Sequence, residues 1–458
     1  MRTELHYYDI FPKVFPAGKE VTITIKPLGH HANFENPDDI SLHIFGWDDG
    51  NPRDYPHRGN GYELPFEFDG CIRFTHTFPR EQQYYVRIMD KNTGKRLLQL
   101  SVYALAEDLC GRYPLIGDLH MHTCCSDGHE CPAIVSANYR KHGYDFFAIT
   151  DHNRYYPSLE AIETYKDVPI EFNICVGEEV HLPDLAPDHI NDVHIVNFGG
   201  KWSVNGLHNG SSQFSDVGED ISLRAIDTEN CPAEVMSVAE YERQVEEIAA
   251  NNEYPEGVAP FVAASCQWGF EHIQAAGGLA IFAHPYWINN TFHVSEKMTD
   301  FLFDQNKFDA FEVLGGEAYL DQNEFQVMHY NEARIRGVKF PVVGSSDVHS
   351  ITQSTYFPFY YTVCFAERSL AHEEFYFRIN SEVMLTDIAR KAVFTDFYDI
   401  CVNKIGKAVH NNVVVLLACG GFFELVHKFL EVTNFFGRKI GPLEIVQHPC
   451  RIIAAQKQ

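Results

Sequence analysis

Short runs in the first 110 residues alternate polar and apolar positions. Residues 20–26 do so with a period of two, which places the apolar side chains on one face of a strand. Similar runs follow at residues 41–45, 71–78, 83–89 and 97–103, with turn-rich pieces such as residues 48–52 between them. Several short strands without helical periodicity predict a small all-β, sandwich-like domain over residues 1–110. We interpret it as a structural cap, with a binding module as the alternative.

The pattern changes at Leu115, where apolar strands begin to alternate with amphipathic helices. Residues 133–142, 270–276 and 322–336 have helical spacing, and residues 145–150, 279–283 and 339–344 are short apolar runs typical of buried strands. This alternation predicts an α/β domain over residues 111–365. Residues 199–264 are richer in Asn, Ser and Glu and are predicted to be an insertion, and residues 366–458 are predicted to be a helical or mixed C-terminal extension.

Charge and cysteine content narrow the range of possible binding partners and cellular compartments. The chain has 458 residues and a net charge of -27, from 36 basic and 63 acidic side chains, which argues against a long nucleic acid as a partner. The N-terminus shows no apolar signal core, and the longest apolar stretch, residues 413–419, is too short to cross a bilayer. Twelve cysteines without a Cys-x-x-Cys pair are interpreted as reduced thiols. We therefore expect a cytoplasmic protein with no membrane contact.

Histidines and carboxylates recur where predicted strands end. His120 and His122 lie two residues apart after a short apolar strand, a spacing that lets both side chains reach one metal ion, and Asp127 follows five residues later. Further candidates follow other apolar strands, namely Asp151 with His152, Glu178 with Glu179, His194, His284, and Asp347 with His349. Packing explains any one of these residues, but not the whole set. Imidazoles with a few carboxylates suit zinc, manganese or iron.

Through these motifs the sequence resembles the PHP (polymerase and histidinol phosphatase) family over residues 113–365. The resemblance implies a distorted (β/α)7-type barrel and nine ligands to as many as three divalent ions. It assigns His120, His122 and Asp347 to a first metal, Glu179 as a bridge, His194 and His284 to a second metal, and Asp127, His152 and His349 to a third. Glu179 is preferred to Glu178 because the family places its ligand two residues after the glycine, here Gly177.

The resemblance and the ligand types together predict a metal-dependent phosphoesterase. In this prediction a metal-bound hydroxide in a trinuclear cluster attacks a phosphomonoester or small phosphodiester. Asp151, like Asp118, is predicted to orient a ligand histidine, or alternatively to be a turn carboxylate. Arg154 is predicted to clamp the substrate phosphate, or alternatively to be a surface arginine. Given the acidic chain, a small phosphorylated substrate is favoured over a nucleic acid.

Several alternatives stay open at this stage. The metal centre could serve a hydrolase of carbon esters or amides, and the β domain could bind a carbohydrate or a protein. Tyr286 and Trp287 flank His284 and are interpreted as core packing or as a platform for a sugar or base. His129, His181 and His189 lie near the motifs and are interpreted as solvent-facing or supporting residues rather than ligands.

Overall fold

In a computed structural model the protein is described at residues 7–34, 36–46, 61–169, 172–183, 192–208, 236–289, 291–292, 294–316, 320–354, 357–358 and 360–366. Residues 367–458 of the predicted C-terminal extension, residues 209–235 of the predicted insertion and His189 lie outside these ranges. The described residues form two compact units, one extending to Pro114 and including Phe365, the other running from Leu115 to Cys364.

The first unit consists of two β-sheets that enclose one apolar core. Its strands are β1 (Tyr8–Phe11), β2 (Val14–Pro16), β3 (Glu20–Pro27), β4 (Ile40–Gly46), β5 (Tyr62–Leu64), β6 (Glu67–Phe68), β7 (Ile72–Thr77), β8 (Gln82–Asp90) and β9 (Arg96–Leu105). They form the sheets β1-β3-β7-β6 and β2-β9-β8-β4-β5. Ile23 and Ile25 of β3 are fully buried in the core they share with Leu42 and Val86, which confirms the alternation seen in the sequence.

The second unit alternates strands with helices. Its strands are β10 (Tyr113–Asp118), β11 (Phe146–Ala148), β12 (Asn173–Cys175), β13 (Gly177–His181), β14 (His194–Phe198), β15 (Leu279–Phe282), β16 (Ile288–Asn289), β17 (Thr291–Phe292), β18 (Ala310–Leu314), β19 (Val342–Gly344) and β20 (Thr362–Ala366). Its helices are α1 (Pro132–Lys141), α2 (Tyr156–Tyr165), α3 (Val238–Ala250), α4 (Pro260–Ala275), α5 (Glu296–Gln305) and α6 (Leu320–Ile335). The mixed α/β class is thereby confirmed.

Two main sheets carry this unit, in the orders β12-β11-β10-β20 and β13-β14-β15-β18-β19. Parallel pairs such as β10 with β11 and β15 with β18 follow the strand–helix alternation, whereas β14 is antiparallel to both of its neighbours. The ladders of the described residues do not close into a single barrel, so the barrel prediction is not met in that form. Single bridges, Met121 with Val348 and His152 with Glu179, join segments that follow or belong to the two sheets.

Helix α3, which lies within the predicted insertion, packs as part of the second unit. Tyr241 and Val245 of α3 are fully buried, and α3 lies against α4 through the Gln244 hydrogen bond to the Trp268 indole. Among the described residues, no helix is both long enough and apolar enough to span a bilayer.

Candidate metal centre

The ends of six strands bring the nine predicted ligands together. His120 and His122 follow β10, His152 follows β11, and Glu179 and His194 lie on the antiparallel pair β13 and β14. The remaining ligands are His284 after β15, Asp347 and His349 after β19, and Asp127 on the loop after His122. Strands that run in parallel present their carboxyl ends at one edge, so residues distant in sequence converge there.

The first group is the most deeply buried. His120, His122 and Glu179 are at most 1% exposed, and Asp347 is 3% exposed. The two Nε2 atoms of the histidines are 3.2 Å apart, and each is 3.4 Å from Glu179 Oε2. Asp347 Oδ1 lies 3.3 Å from His120 Nε2 and 2.9 Å from His122 Nε2. Both imidazole nitrogens therefore lie within 3.4 Å of a Glu179 oxygen and of an Asp347 oxygen.

The second group shares Glu179 through its other oxygen. Glu179 Oε1 lies 3.5 Å from His284 Nε2 and 2.6 Å from His194 Nδ1. Asp347 Oδ2 is 3.6 Å from the same His284 nitrogen. Glu179 thus faces both groups, the arrangement expected of a bridging carboxylate.

The third group forms the exposed side of the centre. Asp127 Oδ2 lies 3.3 Å from Nε2 of His152 and 3.3 Å from Nε2 of His349. The side chains of Asp127 and His349 are 42% and 28% exposed, so this side of the centre is open to solvent. Gly128 allows the loop to fold closely, because a Cβ there would lie 2.7 Å from the backbone of His122.

The donor set fits divalent metal ions. Two ligands about 2.0–2.1 Å from one tetrahedral ion are about 3.3–3.4 Å apart. The ligand pairs of the first and third groups, at 2.9–3.4 Å, match this spacing. Two buried nitrogens, Nδ1 of His122 and Nδ1 of His284, also remain without a hydrogen bond within the described residues. Such atoms are costly unless a ligand satisfies them.

Histidines and carboxylates shift one another's pKa strongly. Burial by itself raises the pKa of Glu179, but the surrounding imidazoles, those of His152 and His194 first, hold it well below its ordinary value. Burial disfavours charge on His152, yet Glu179 and Asp127 raise its pKa to about 10. Burial and the neighbouring His152 lower the pKa of His122 to about 3. Without metal, protons on some imidazoles balance the carboxylates, and these protons must leave when a metal binds.

Two non-glycine residues of the centre have a backbone φ in the left-handed region. Asn153 has φ of 53° and Asp347 has φ of 51°. The Asn153 amide donates to the Glu179 carbonyl at 3.0 Å, and the Asp347 amide donates to the His120 carbonyl at 2.9 Å. Such conformations cost of order 1–3 kcal/mol and persist where the surroundings enforce them. Both are held by backbone bonds to ligand-bearing segments.

Glu178 and Glu179 occupy opposite faces of β13. Glu178 is fully buried and accepts hydrogen bonds from Asn197 Nδ2, Ser203 Oγ, the Val204 amide and Asn205 Nδ2. All of its partners lie away from the ligand cluster, whereas Glu179 faces the histidines. The structure therefore places Glu179, and not Glu178, within the centre.

Glu312 is a supporting residue that the sequence interpretation missed. It is fully buried in β18, and its Oε2 lies 2.9 Å from Nδ1 of His120. A carboxylate that accepts the Nδ1 proton leaves Nε2 of the same imidazole free to bind metal. The sign of this role in the sequence was a single Glu in the otherwise apolar strand Ala310–Leu314. The sequence did not indicate that its partner would be His120, which lies 192 residues away along the chain.

The hydrogen bonds of Asp118 and Asp151 fit the turn-carboxylate alternative rather than the orienting role. Asp151 accepts from the Thr123 amide and hydroxyl, both at 2.7 Å, and from the Ser126 hydroxyl. Asp118 accepts from the Tyr139 hydroxyl at 2.8 Å and from backbone amides, and burial raises its pKa to about 7. Their partners are hydroxyls and amides rather than ligand imidazoles. Asp151 instead anchors the loop that leads to Asp127.

Arg154 is buried, not a surface arginine. Its residue exposure is 3%, its Nε makes no hydrogen bond within the described residues, and its Nη1 lies 3.4 Å from the Asn153 carbonyl. No described carboxylate forms an ion pair with it. A buried guanidinium in this state is electrostatically suited to an incoming anion.

Tyr286 packs into the fold rather than presenting an open platform. It is 8% exposed, its ring stacks against Phe325, and its hydroxyl contacts Nδ1 of His329. His329 Nε2 in turn lies 2.9 Å from Asp300. These contacts favour the core-packing interpretation of Tyr286.

The chain is similar to several proteins of known structure, but with low sequence identity and low TM-scores. No family model matches the chain, and no curated protein does. It is similar to a two-domain protein from Bacteroides vulgatus containing a predicted PHP-like metal-dependent phosphoesterase, with 15% identity, TM-score 0.32, and coverage of 56% of this chain and 60% of that one. The chain thus spans less than two thirds of that protein.

Two further solved structures each cover 51% of this chain. One comes from Bifidobacterium adolescentis and is proposed to be a metal-dependent phosphoesterase, with 18% identity, TM-score 0.30, and coverage of 51% of this chain and 87% of that one. The other is an amidohydrolase from Chromobacterium violaceum with bound sulfate and no metal, with 23% identity, TM-score 0.30 and the same coverage.

Proposed function

We propose that this protein is a metal-dependent hydrolase of phosphate esters, of the kind the PHP resemblance implies, acting on a phosphomonoester or a small phosphodiester. The observation that carries the proposal is the convergence of nine histidine and carboxylate side chains at ligand spacing, with the oxygens of Glu179 and Asp347 facing imidazole nitrogens. When bound, divalent ions supply an activated water and neutralise charge that develops on phosphoryl oxygens.

The ligands form inner and outer groups according to how deeply they are buried. His120, His122, Glu179 and Asp347 would hold the innermost ion, with Glu179 shared toward His194 and His284. Asp127, His152 and His349 would hold a third ion on the exposed side. The three carboxylates carry less negative charge than three divalent ions carry positive charge, so the loaded centre attracts an anion although the chain is acidic.

Phosphorus is favoured over carbon because of Arg154. Its buried guanidinium follows the segment that carries His152 and has no carboxylate partner among the described residues. A planar guanidinium binds two phosphate oxygens at once, whereas a carbon ester or amide offers no such charge. Arg154 would orient the substrate, and Asp151 would keep the Asp127 loop in place through Thr123 and Ser126.

The test combines metal content with a substrate panel. Protein purified without chelators is compared with Glu179→Gln and with Glu246→Gln, a control for loss of an exposed carboxylate on α3. Wild type and control should hold two or three equivalents of zinc, manganese or iron by elemental mass spectrometry, and hydrolyse phosphate esters. Because Glu179 serves two groups, its variant should lose metal and more than about 100-fold of kcat/KM.

The same panel separates the alternatives. Turnover of carboxylic esters or amides without turnover of phosphate esters would assign the centre to carbon chemistry. Less than half an equivalent of metal in all three proteins, with no recovery after metal is added, would overturn the catalytic proposal. The sandwich unit would then be examined as a binding module.

A further inference from the structure

Glu130 lies outside the nine ligands, at the end of the loop that carries Asp127. The Cys124 amide donates to the Glu130 carbonyl at 3.0 Å, which closes residues 124–130 into a loop with Asp127 between its two ends. The Asp127 side chain is 42% exposed, so few packing contacts fix its position. Its place in the centre therefore depends on how the loop is tied to the neighbouring segments.

The Glu130 carboxylate joins this loop to the segment that follows His349. Its Oε2 accepts from the Ile351 amide at 3.2 Å, and its Oε1 accepts from the Ser350 hydroxyl at 3.3 Å. Ser350 is 5% exposed, and its hydroxyl also lies 3.3 Å from Thr352 Oγ1. Because an ionised carboxylate can only accept, the Ser350 hydroxyl donates to Glu130 and accepts from Thr352. Each oxygen of Glu130 therefore holds one residue of this segment.

A backbone hydrogen bond beside Glu130 joins the same two segments. The His129 amide donates to the His349 carbonyl at 2.8 Å. Asp127 Oδ2 lies 3.3 Å from His349 Nε2, and two ligands on one tetrahedral ion are about 3.3–3.4 Å apart. These two ligands therefore belong to segments that are held together by contacts in which neither ligand side chain takes part.

The loop is tied to the remaining ligand of the third group in a similar way. Asp151, which directly precedes the ligand His152, accepts from the amide and hydroxyl of Thr123 and from the hydroxyl of Ser126. Two carboxylates outside the ligand set, one on each side, therefore join the Asp127 loop to the other two ligand-bearing segments of the third group.

We propose that Glu130 is a positioning residue for the third metal, which sets the distance between Asp127 and His349 by holding Ser350 and Ile351. This rests on the proposed function, since it assumes that the centre binds metal. Without the Glu130 carboxylate the backbone bond beside it remains, so the protein should still fold. The two ligands would then be held less firmly at the spacing that the ion requires.

The effect should be confined to the third group. None of the ligands of the first and second groups lies on residues 124–130 or 350–351. Their affinity for metal should therefore not depend on Glu130, and this selectivity distinguishes a positioning role from a general contribution to stability.

The test is titration of the metal-free protein with Mn²⁺, with free Mn²⁺ counted by electron paramagnetic resonance. His349→Ala removes a ligand and identifies the class of binding site that belongs to the third group. Glu130→Ala removes both acceptor oxygens, and Glu130→Gln keeps one. Asp145→Ala is the matched control, because Asp145 Oδ2 also ties two segments of the unit, through the Ile116 amide at 2.8 Å, but precedes β11, whereas His152 follows it. Melting temperatures by circular dichroism verify that each variant folds.

In Glu130→Ala the class of site that His349→Ala abolishes should weaken by about 10–100-fold, while the other classes keep their affinity. Glu130→Gln should weaken this class less. Ser350→Ala removes one donor and should weaken the class by about 2–10-fold. Added to Glu130→Ala it should weaken the class no further, because the contact is already broken. Asp145→Ala should bind Mn²⁺ as wild type does.

Unchanged affinity of this class in a folded Glu130→Ala would overturn the inference, and so would an equal loss in Asp145→Ala or in all classes of site. If Glu130→Ala does not fold, Glu130→Gln and Ser350→Ala decide, and unchanged binding in both would overturn it. Wild-type protein that binds no Mn²⁺, zinc or iron would overturn the proposed function itself, a result distinct from a loss confined to one class of site.

Discussion

The sandwich unit and the α/β unit bury polar groups in opposite ways. Among the described residues up to Pro114, the buried polar side chains are those of Ser41, Gln82 and Gln83, and none is an acid, a base or a histidine. The described part of the α/β unit buries histidines, carboxylates and an arginine, many of them at one edge of its strands. Burying charge costs free energy unless it is paired. The sandwich is therefore built for its own stability, whereas the α/β unit carries a cost that bound ions would offset.

Two adjacent glutamates make the same contrast within one strand. Glu178 and Glu179 are both fully buried, but Glu178 accepts four hydrogen bonds from amides and a hydroxyl, whereas the Glu179 oxygens face imidazole nitrogens. The amide and hydroxyl donors fix Glu178 within the fold, and the imidazoles around Glu179 are themselves metal-type ligands. The difference shows that burial alone does not identify a functional residue, because the chemical type of its partners must be known as well.

The largest expected effect comes from removing metal. If ions offset the cost of the centre, chelation should destabilise the α/β unit and leave the sandwich unchanged. At a metal concentration 100 times Kd the stabilisation is about 2.7 kcal/mol for each site. Hydrogen exchange should quicken after chelation in peptides spanning β10, β13 and β15, but not in those spanning β3 or β8. Equal changes in both units would contradict the comparison.

Replacing Arg154 should separate activity from stability. Arg154→Met removes a buried charge that has no ion-pair partner, so the free energy of unfolding should stay the same or rise. Loss of charge-assisted bonds to phosphate should lower kcat/KM by about 10–100-fold, mainly through KM. Urea unfolding and steady-state kinetics measure the two quantities. Arg243→Met, at an exposed arginine of α3, is the control. Strong destabilisation with unchanged kinetics would make Arg154 a structural residue.

Glu312 offers a smaller effect at the innermost group. Glu312→Leu removes the acceptor for His120 Nδ1, and we expect metal affinity to fall by about 10–100-fold, with a smaller fall in Glu312→Gln, which keeps an acceptor. Competition with a chromogenic chelator measures the affinity. Glu246→Gln should change nothing. If Glu312→Leu bound metal as wild type does, His120 would be oriented without its help.

The sequence patterns predicted which face of a strand is buried and where the strand ends. They were poorer at predicting which strands and side chains lie next to one another. Alternation placed Ile23 and Ile25 in the sandwich core, and the positions after apolar runs indicated where histidines would gather. Long-range pairing could not be read in this way, because a strand's pattern does not record which strand lies beside it. Glu312 was missed for that reason, and the pattern left open whether Asp151 orients a histidine or holds a turn, whereas its hydrogen bonds go to Thr123 and Ser126. The sequence pattern also did not predict how the two main sheets of the α/β unit meet.

The smallest effect is a pH dependence that should depend on metal. Without metal, Glu179 and Asp127 raise the pKa of His152 to about 10, above the ordinary value of about 6.5 for an unfolded chain. Between these values the folded protein binds more protons than the unfolded one, so this contribution is complete below about pH 6.5 and is lost as pH rises toward 10. Each such proton contributes at most about 1.4 kcal/mol per pH unit.

Bound metal takes the place of those protons, so the falling slope should disappear in the loaded protein, and metal affinity should itself rise with pH. Urea unfolding at pH 7 and pH 9, with chelator and with added metal, measures both slopes. His152→Ala should reduce the slope of the chelated protein, because it removes one of the groups that gain a proton, whereas His76→Ala in the sandwich should not. The same slope with and without metal would mean that the buried histidines of the α/β unit do not exchange protons for ions.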